Sequence, residues 1–574
     1  HRLDKEQMQY IERIRAESEA GRYPDGVYRI HLNGASHTSF LQNRYGTLHL
    51  DRIKNWVLEY PDDAARLPAV YPYGDLASPE QFLEHLFCYE FFASIPVYGP
   101  RENAGLSPVP SRRVHRLYVD AYNRFYGQME PRQRKRAEAA LLFMAYLAAG
   151  EHVMPLVNML GGNPNFLSDI KTIPAQMAVQ FPDHPEAENW KAVYGKFVEL
   201  AGRYYTRPPL DGLNLKGGRW TENLGTYVWA FLRPLLKAEF MLQTYNDGIN
   251  RVANEQMARM GRWLVDSLTA PFAGEDPRTL REFAGYHYWG RLSRDRGPAR
   301  LHPPQGAHSY RRLPPRAMWL LATFLERYDP LTAEAMKWAA GPDREDTEVG
   351  ETFTGSCALM YPANSRGDGG TDPHLESVAY TGYGIILRAG VGTEEEVSLH
   401  IQQLDPGLNY RWGKAAAGGC GQLFYYAGGK AYSHVGKEDV GDRQAGDVDF
   451  SCNFGVWKDG KYKSIGQNVL TEPFYSLGTA QFARLLPEKG KNAYAWPEYR
   501  SRSILLAGTD YFAVQDAVGS PWIGHRFSWF VHKYDEMPQL IMLRGADRKT
   551  ELATEETRGV WYDGKGGTFA VITH

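Results

Sequence analysis

The stretch GGRWTENLGTYVW, residues 217–229, is the segment around which the rest of the sequence is organised. Two glycines open it, which is typical of a loop whose backbone passes close to another part of the protein. Five polar and aromatic residues then crowd together, namely Arg219, Trp220, Glu222, Asn223 and Tyr227. Such groups, placed where a loop enters a helix, line many binding clefts. The alternative is an ordinary helix start capped by Thr221 or Asn223.

Length and composition narrow the classes of protein. The chain has 574 residues, which at roughly 150 residues per domain predicts more than one domain. A formal net charge of −2 argues against a nucleic-acid partner. No apolar run is long enough for a membrane span, and the chain begins with a charged helical segment rather than a signal peptide. The spacing of the four cysteines fits neither a zinc site nor a redox motif, which favours buried free thiols over a disulfide.

The first 345 residues have helical periodicity, broken by long loops that contain proline and glycine. Their number and similar length predict a helical toroid or solenoid, without a fixed repeat. The predicted helices cover residues 4–19, 79–94, 113–126, 131–149, 185–205, 224–245, 248–268 and 315–328.

The pattern changes near residue 341, after which short alternating runs are separated by turn residues. Such runs predict an antiparallel β-sandwich. The predicted strands cover residues 352–361, 377–389, 395–404, 422–427, 500–507, 510–518, 525–532, 540–543 and 568–573. The predicted fold is therefore an α+β chain of two domains, an (α/α) toroid over 1–345 and an antiparallel sandwich over 346–574.

Three further segments carry residues suited to chemistry. The first is a long loop between helices, dense in groups that bind anions or move protons, and such loops are more often functional than idle. The candidate site residues in this loop are Tyr286, His287, Tyr288, Arg291, His302, His308 and Arg311. The second is His400 on a predicted strand, and the third holds Tyr432 and His434. A solvated basic loop and hydrogen-bonded structural histidines are the alternatives.

This set of groups suits β-elimination from a uronic acid. The C5 proton can be removed once the neighbouring carboxylate is neutralised, which an asparagine and an arginine can do. A tyrosine base needs its pKa lowered by nearby positive charge. Glycoside hydrolysis instead requires two carboxylates, for which Glu222, Glu282 and Asp295 are available. A non-catalytic glycan-binding protein is the third hypothesis.

With these segments in this order, the chain resembles the heparinase II/III-like polysaccharide lyases, a family that includes related alginate lyases. The resemblance rests on the predicted toroid followed by a sandwich and on four motifs. These are Trp-Thr-Glu-Asn-Leu-Gly, Tyr-His-Tyr, the strand histidine and Gly-Lys-Ala-Tyr-Ser-His.

The resemblance implies roles for individual residues. Asn223 is similar to the family's carboxylate-neutralising asparagine, and Tyr286 or Tyr288 to its proton-transferring tyrosine. His400 is similar to the sandwich histidine near the carboxylate, and Tyr432 to a substrate-contacting tyrosine. Leu224 stands where the family often has a histidine, so the base here must be a tyrosine or one of the loop histidines.

The remaining expectations concern substrate, metals and location. The sugar is expected to be bound by Arg291, His308 and Arg311 and by the stacking surfaces of Trp220 and Tyr432, with Glu222, His287, His302 and His434 also in the cleft. No cofactor and no catalytic metal are predicted, and a structural divalent cation in the sandwich is left as an alternative. The resemblance implies a zinc site near the strand histidine, but Gln402 stands where a second zinc ligand would be. The expected partner is an acidic polysaccharide or oligosaccharide, and the expected location is periplasmic or secreted.

Overall fold

The computed structural model describes most of the second half of the chain and part of the first. The described residues are 78–84, 118–149, 164–222, 227–273, 298, 300–303, 315–340, 369–403, 421–434, 451–464, 468–470, 472–487, 499–532, 536–553 and 557–574. The predicted helix at 4–19 and the predicted strand at 352–361 lie outside them.

Helices occupy the described part of the chain up to residue 340. They are α1 (Pro79–Glu84), α2 (Val119–Phe125), α3 (Pro131–Ala149), α4 (Pro164–Lys171), α5 (Ile173–Gln180), α6 (Ala187–Tyr205), α7 (Tyr227–Tyr245), α8 (Glu255–Asp266), α9 (Pro315–Leu325) and α10 (Pro330–Ala340). The prediction for α3 is confirmed at both ends. The helix predicted over 248–268 begins later, because the Asn254 side chain accepts a hydrogen bond from the Met257 amide and caps it there. None of the described helices combines the length and apolarity needed to cross a bilayer.

Strands follow, as predicted. They are β1 (Val378–Tyr380), β2 (Gly384–Ala389), β3 (Val397–Gln402), β4 (Gln422–Ala427), β5 (Lys430–Ala431), β6 (Asn453–Lys458), β7 (Lys461–Ser464), β8 (Asn468–Leu470), β9 (Tyr475–Leu477), β10 (Ala480–Pro487), β11 (Tyr499–Ala507), β12 (Tyr511–Val518), β13 (Gly524–His532), β14 (Gln539–Ala553) and β15 (Thr557–Thr573). The run predicted as one strand over 377–389 is two, because Gly382 and Gly384 adopt positive φ and turn the chain between them.

The strands form two antiparallel sheets in the described part of the chain. The first has the order β1-β2-β3-β4-β5. The second has the order β7-β6-β13-β15-β12-β11-β10-β8, with β14 paired to β15 and β9 paired to β10. One apolar core contains residues of both sheets, among them Leu399 and Tyr425 of the first and Phe512 and Trp529 of the second. A shared core of this kind defines a sandwich.

By internal contacts the chain divides into two compact units. One comprises His1–Ala201, Ala230–Arg251 and Glu351–Pro362, and the other Gly202–Trp229, Val252–Gly350 and Ala363–His574. The second unit therefore contains the sandwich together with α8, α9 and α10. Part of the helical half is thus grouped with the strands by contacts, and the domain boundary at residue 345 stays a prediction.

The thiol of Cys452 is free and buried in the shared core. The Phe530 amide donates a hydrogen bond to its sulfur, and burial raises the pKa of the thiol to about 12. This agrees with the expectation of buried thiols for the one cysteine that the structure describes.

The opening glycine pair lies in a tight backbone crossing within the second unit. Gly218 has a φ of +112°, and a Cβ atom there would stand 2.2 Å from the carbonyl oxygen of Arg259 in α8. At Gly217 a Cβ atom would stand 2.6 Å from the backbone nitrogen of Pro209. The predicted close approach of backbone at these glycines is confirmed.

We expect Gly218→Ala to destabilise the protein by at least about 2 kcal/mol, because the new methyl group meets backbone rather than a movable side chain. Thermal unfolding followed by circular dichroism measures the effect. Gly212→Ala is the matched control, since a Cβ atom at Gly212 meets nothing within 4 Å. Equal unfolding midpoints for the two variants would contradict the close approach.

Candidate functional site

His400 lies in the middle of β3, and the alternation of the strand determines which way it faces. Leu399 and Ile401 belong to the core between the two sheets, so Ser398 and His400 face away from that core. Every residue of β3 is nonetheless buried. Both faces of this sheet are therefore covered, and His400 is an interior group of the second unit rather than a surface residue.

Two aromatic residues contact the imidazole of His400, and a third packs against one of them. The Tyr383 hydroxyl lies 3.1 Å from Nδ1 of His400. The Tyr426 ring meets His400 edge-on at a centroid distance of 5.7 Å, and the Trp263 ring meets Tyr383 in the same manner at 6.1 Å. Aromatic packing on two sides restricts the rotation of the ring, so Nε2 has one fixed direction.

The imidazole of His400 is neutral, and only one of its two nitrogens has a hydrogen-bond partner among the described residues. Burial lowers the pKa of His400 well below its usual value, and the electrostatic interactions with Arg388 and His302 lower it further. Nε2 is buried, and it has no hydrogen-bond partner among the described residues. Buried polar atoms without a partner are rare, and they are one mark of a place where a ligand binds. If the Tyr383 hydroxyl donates to Nδ1, the ring hydrogen is on Nε2, which is then a donor; in the other tautomer Nε2 is a base.

The chain after α8 is tied to this face of the first sheet. The amide of Ala270 donates to Oγ of Ser398 at 2.7 Å. The Arg388 guanidinium donates to the carbonyl oxygens of Asp266, at 2.9 Å, and of Leu268. These bonds connect the last turn of α8 to β2 and β3, so the helix and the histidine keep a fixed geometry.

The buried carboxylate of Glu396 lies beside two arginines near the contact between α8 and the first sheet. Glu396 accepts hydrogen bonds from Arg300 through both of its oxygens, the second at 2.6 Å, and also one from the Gly392 amide. Arg388 lies 3.9 Å from the same carboxylate. Burial lowers the pKa of Arg388 to about 10, and the charge of Arg300 adds to the effect. One carboxylate thus stands beside two guanidinium groups.

The structure brings His302 near His400 but gives it a supporting position. His302 is buried, and its Nε2 lies 2.7 Å from the carbonyl oxygen of Leu264. That nitrogen is engaged with the backbone of α8, and His302 contributes to the lowered pKa of His400 through an electrostatic interaction.

Trp220 and Glu222 form a second buried cluster in the same unit. The Trp220 indole N–H donates to Oε2 of Glu222 at 3.3 Å, and the Tyr205 ring meets the indole edge-on at 5.4 Å. Both side chains are fully buried. Burial raises the pKa of Tyr205, and the charge of Glu222 raises it further. In this arrangement Trp220 packs in the interior of the unit. Its proposed role of stacking on a sugar stays a prediction.

Tyr432 and His434 lie on the other side of the first sheet from His400. Tyr432 belongs to the core between the sheets, where its carbonyl oxygen accepts a hydrogen bond from the Trp529 indole at 2.7 Å. The His434 amide bonds to the Phe530 carbonyl oxygen, again beside the second sheet. The structure therefore does not bring these two residues together with His400, because the chain after β4 turns into the interior of the sandwich.

The other predicted site residues fall outside the described residues. They are Asn223, Tyr286, His287, Tyr288, Arg291, His308 and Arg311. Their proposed roles stay predictions.

Sequence reasoning missed Tyr383, which contacts the imidazole, Arg388, whose charge lowers the pKa of the imidazole, and Trp263, which packs against Tyr383. Tyr383 lies in the turn between β1 and β2 that was read as continuous strand. The closely spaced Gly382 and Gly384 are the signal that could have revealed this turn.

The described residues near His400 do not fit a zinc ion. Its neighbours on the same face of β3 are Ser398 and Gln402, and Gln402 is buried. Across the described stretches of chain, no three histidine, cysteine, aspartate or glutamate side chains are grouped to hold a metal. A zinc site of the usual kind needs three or four such ligands.

The fold and this site define a class of protein: a helical region followed by a two-sheet antiparallel sandwich that carries a buried, half-satisfied histidine. Neither a family model nor a curated protein matches the sequence.

Solved structures of heparinase III share the fold. One is 11% identical, with a TM-score of 0.50, and the match covers 91% of this chain and 76% of the other. A second heparinase III is 10% identical, also with a TM-score of 0.50, and covers 100% of this chain and 84% of its own. At such identities the similarity establishes the fold alone.

Proposed function

We propose that this protein is a polysaccharide lyase that cleaves a uronate-containing glycan by β-elimination and leaves a 4,5-unsaturated uronate. The observation that carries the proposal is His400, a neutral interior imidazole whose Nε2 meets no hydrogen-bond partner in the described part of the chain, within a fold shared with heparinase III. The name heparinase denotes action on heparin, an acidic polysaccharide, which supports this substrate class. A substrate of that size places the enzyme in the periplasm or outside the cell.

The elimination needs three functions. The sugar carboxylate must be neutralised so that C5 can lose its proton, and Asn223 with the Nε2–H of His400 supplies hydrogen bonds for that purpose. A base then removes the C5 proton, and its electron pair forms the C4–C5 double bond. The C4–O bond breaks, and an acid protonates the leaving oxygen. Tyr288, or Tyr286, is the residue proposed for the proton transfers.

His400 suits the neutralising role better in its uncharged state. An imidazole that is kept neutral by burial donates one directed hydrogen bond, and it does not form a lasting ion pair with the substrate carboxylate. Binding that is equal in the ground state and the transition state would not accelerate the reaction. Arg291, His308 and Arg311 are proposed to bind the acidic sugar before and after the cleaved bond.

Incubation with a panel of uronate polysaccharides tests the proposal. A lyase produces a conjugated unsaturated uronate, whose ultraviolet absorbance rises with time. New reducing ends without that absorbance would instead indicate a hydrolase acting through Glu222 and a second carboxylate. Retention of the glycan with neither product would indicate a binding protein.

We expect Tyr288→Phe to lower the rate of elimination by at least about 100-fold, because it removes the group proposed to move protons. Tyr286→Phe is the matched control on the same segment. The measurement is the initial rate of absorbance increase, with circular dichroism to check that each variant is folded. Full activity of Tyr288→Phe and loss of activity of Tyr286→Phe would transfer the role to Tyr286.

A further inference from the structure

A cleft opens on the second sheet, where β6, β7, β13, β14 and β15 meet. Its volume is about 370 Å³. The side chains that line it are Trp457, Tyr462, Asp547, Arg548, Asp563 and Lys565, with Gly524 and Gly564 between them. A space of this size is at the lower end of the range for small-molecule sites.

The cleft lies on the opposite side of the sandwich from His400. Phe527 and Trp529 of β13 point into the core between the sheets, so Arg526 points outward from the second sheet. Asp563 pairs with Arg526 across β13 and β15 and shares that outer face. His400 faces outward from the first sheet. The two places are therefore separated by the thickness of the sandwich.

One wall of the cleft is aromatic. Trp457 and Tyr462 are directly opposite each other in the β6–β7 pairing, and their rings meet edge-on at 4.8 Å. Trp457 is 50% exposed. Gly524 makes room for it, since a Cβ atom there would stand 3.1 Å from the Cβ of Trp457. A large ring is thus held against the sheet with much of its surface open to solvent.

The guanidinium of Arg526 holds the aromatic wall in position. The Arg526 guanidinium lies over the Tyr462 ring at 4.1 Å and over the Trp561 ring at 4.4 Å. Arg526 also donates to both oxygens of Asp563, at 2.6 and 2.8 Å. Stacking and paired hydrogen bonds fix the guanidinium, which in turn fixes Tyr462. The aromatic surface is preorganised, so a ligand that stacks on it orders little side-chain motion.

The other wall carries charged side chains, two of which have no recorded partner among the described residues. Asp563 is occupied by Arg526 and Arg548. The structure records no hydrogen bond or ion pair for the side chains of Asp547 and Lys565 with any described residue, although both line the cleft. Arg526, Arg548 and Lys565 against Asp547 and Asp563 leave a surplus of one positive charge.

We propose that this cleft is a non-catalytic binding site for one saccharide unit of an acidic polysaccharide. The carbon-bound face of the sugar stacks on Trp457, ring hydroxyl groups donate to Asp547, and a sugar carboxylate or sulfate binds Lys565 and Arg548. Aromatic rings beside unpaired polar groups suit a ligand that has both an apolar face and many hydroxyl groups. The choice of an acidic glycan rests on the proposed function, while the stacking and hydroxyl contacts do not.

The test compares Trp457→Ala with Tyr475→Ala in affinity electrophoresis through gels that contain heparin as the acidic polysaccharide. Tyr475 is 45% exposed and lies on β9, towards the other edge of the same sheet. We expect Trp457→Ala to weaken binding about five- to tenfold and Tyr475→Ala to leave it unchanged. Lys565→Gln provides an independent variant, and its loss of binding should be largest at low salt.

Turnover assays on the same variants separate this site from the proposed reaction. Wild-type affinity in both Trp457→Ala and Lys565→Gln would overturn the site and leave the lyase proposal standing. Binding that depends on Trp457 in a protein that forms no unsaturated product would support the site and overturn the lyase. A wild-type protein that the glycan does not retard at all would overturn the site, whatever its turnover.

Discussion

Replacement of His400 by alanine is expected to lower kcat for elimination by about 10²- to 10³-fold. The reason is that Nε2 is a directed group, fixed by Tyr383 and Tyr426, and such donors act most strongly where charge develops in a dry interior. The measurement is the initial rate of unsaturated uronate formation at saturating substrate. A fall in activity of less than about threefold in a folded His400→Ala protein would remove His400 from the reaction.

His400→Gln distinguishes the two roles that Nε2 can have. Glutamine retains an N–H donor but is not a base, so partial rescue relative to alanine indicates that His400 donates to the carboxylate. No rescue indicates that Nε2 removes a proton, in which case Tyr288→Phe should retain more activity than His400→Gln.

The same substitution has a pH signature in stability. Burial lowers the native pKa of His400 below the usual 6.5. As pH falls through about 6.5, the unfolded chain binds a proton on this residue that the native protein does not bind. The contribution to stability is therefore complete above that pH and declines below it. Thermal unfolding of His400→Gln should show a weaker decline between roughly pH 6.5 and 5 than the wild type.

The second large effect is expected in the sandwich, where Arg502 and Asp516 form a buried ion pair on β11 and β12. Both side chains are fully buried, and the guanidinium donates to both carboxylate oxygens, at 2.7 and 2.8 Å. The Tyr499 hydroxyl donates to the same carboxylate at 2.9 Å. Asp516→Leu would leave a buried guanidinium without its counter-ion, so we expect a loss of about 3–5 kcal/mol in the free energy of unfolding.

The double variant Arg502→Leu/Asp516→Leu should be more stable than Asp516→Leu alone, because no uncompensated charge remains inside. Asp459→Asn is the matched control at an exposed pair with Lys463, and its unfolding midpoint should not change measurably. Urea or thermal unfolding followed by circular dichroism measures all three. A single variant as stable as the double variant would show that the pair carries no buried charge.

The local sequence pattern was sufficient to predict an element where residues close together along the chain determine its structure. The helix over 131–149 and the strand over 422–427 have the predicted bounds, since each is set by its own periodicity and breakers. Helices α4, α5 and α10 and strands β5 to β10 were not predicted, because their side-chain patterns are short or mixed. The order of helices followed by antiparallel strands was nevertheless predicted, and the fold shared with heparinase III confirms the resemblance at that level.

The candidate site was only partly accessible to the sequence. A histidine on a strand predicted that His400 could act in chemistry, but the pattern of β3 does not reveal that both faces of its sheet are covered. Tyr383 contacts the imidazole from a turn, Arg388 lowers its pKa from a neighbouring strand, and Trp263 of a helix packs against Tyr383. The pattern likewise does not reveal that Tyr432 lies in the core between the sheets, on the other face of the first sheet from His400; its proposed contact with substrate stays a prediction.

The sequence by itself determined the kinds of element, their order along the chain and the tight crossing at Gly217 and Gly218, because each depends on residues within a few positions. Tertiary structure decided which strands pair, which side of each sheet is buried and which distant groups share a site. Trp457, Gly524, Arg548 and Lys565 line one cleft only because β6, β13, β14 and β15 are neighbours in the second sheet. The physical reason is that strand pairing and burial are properties of the whole packed core, whereas periodicity reports only on the chain's immediate neighbourhood.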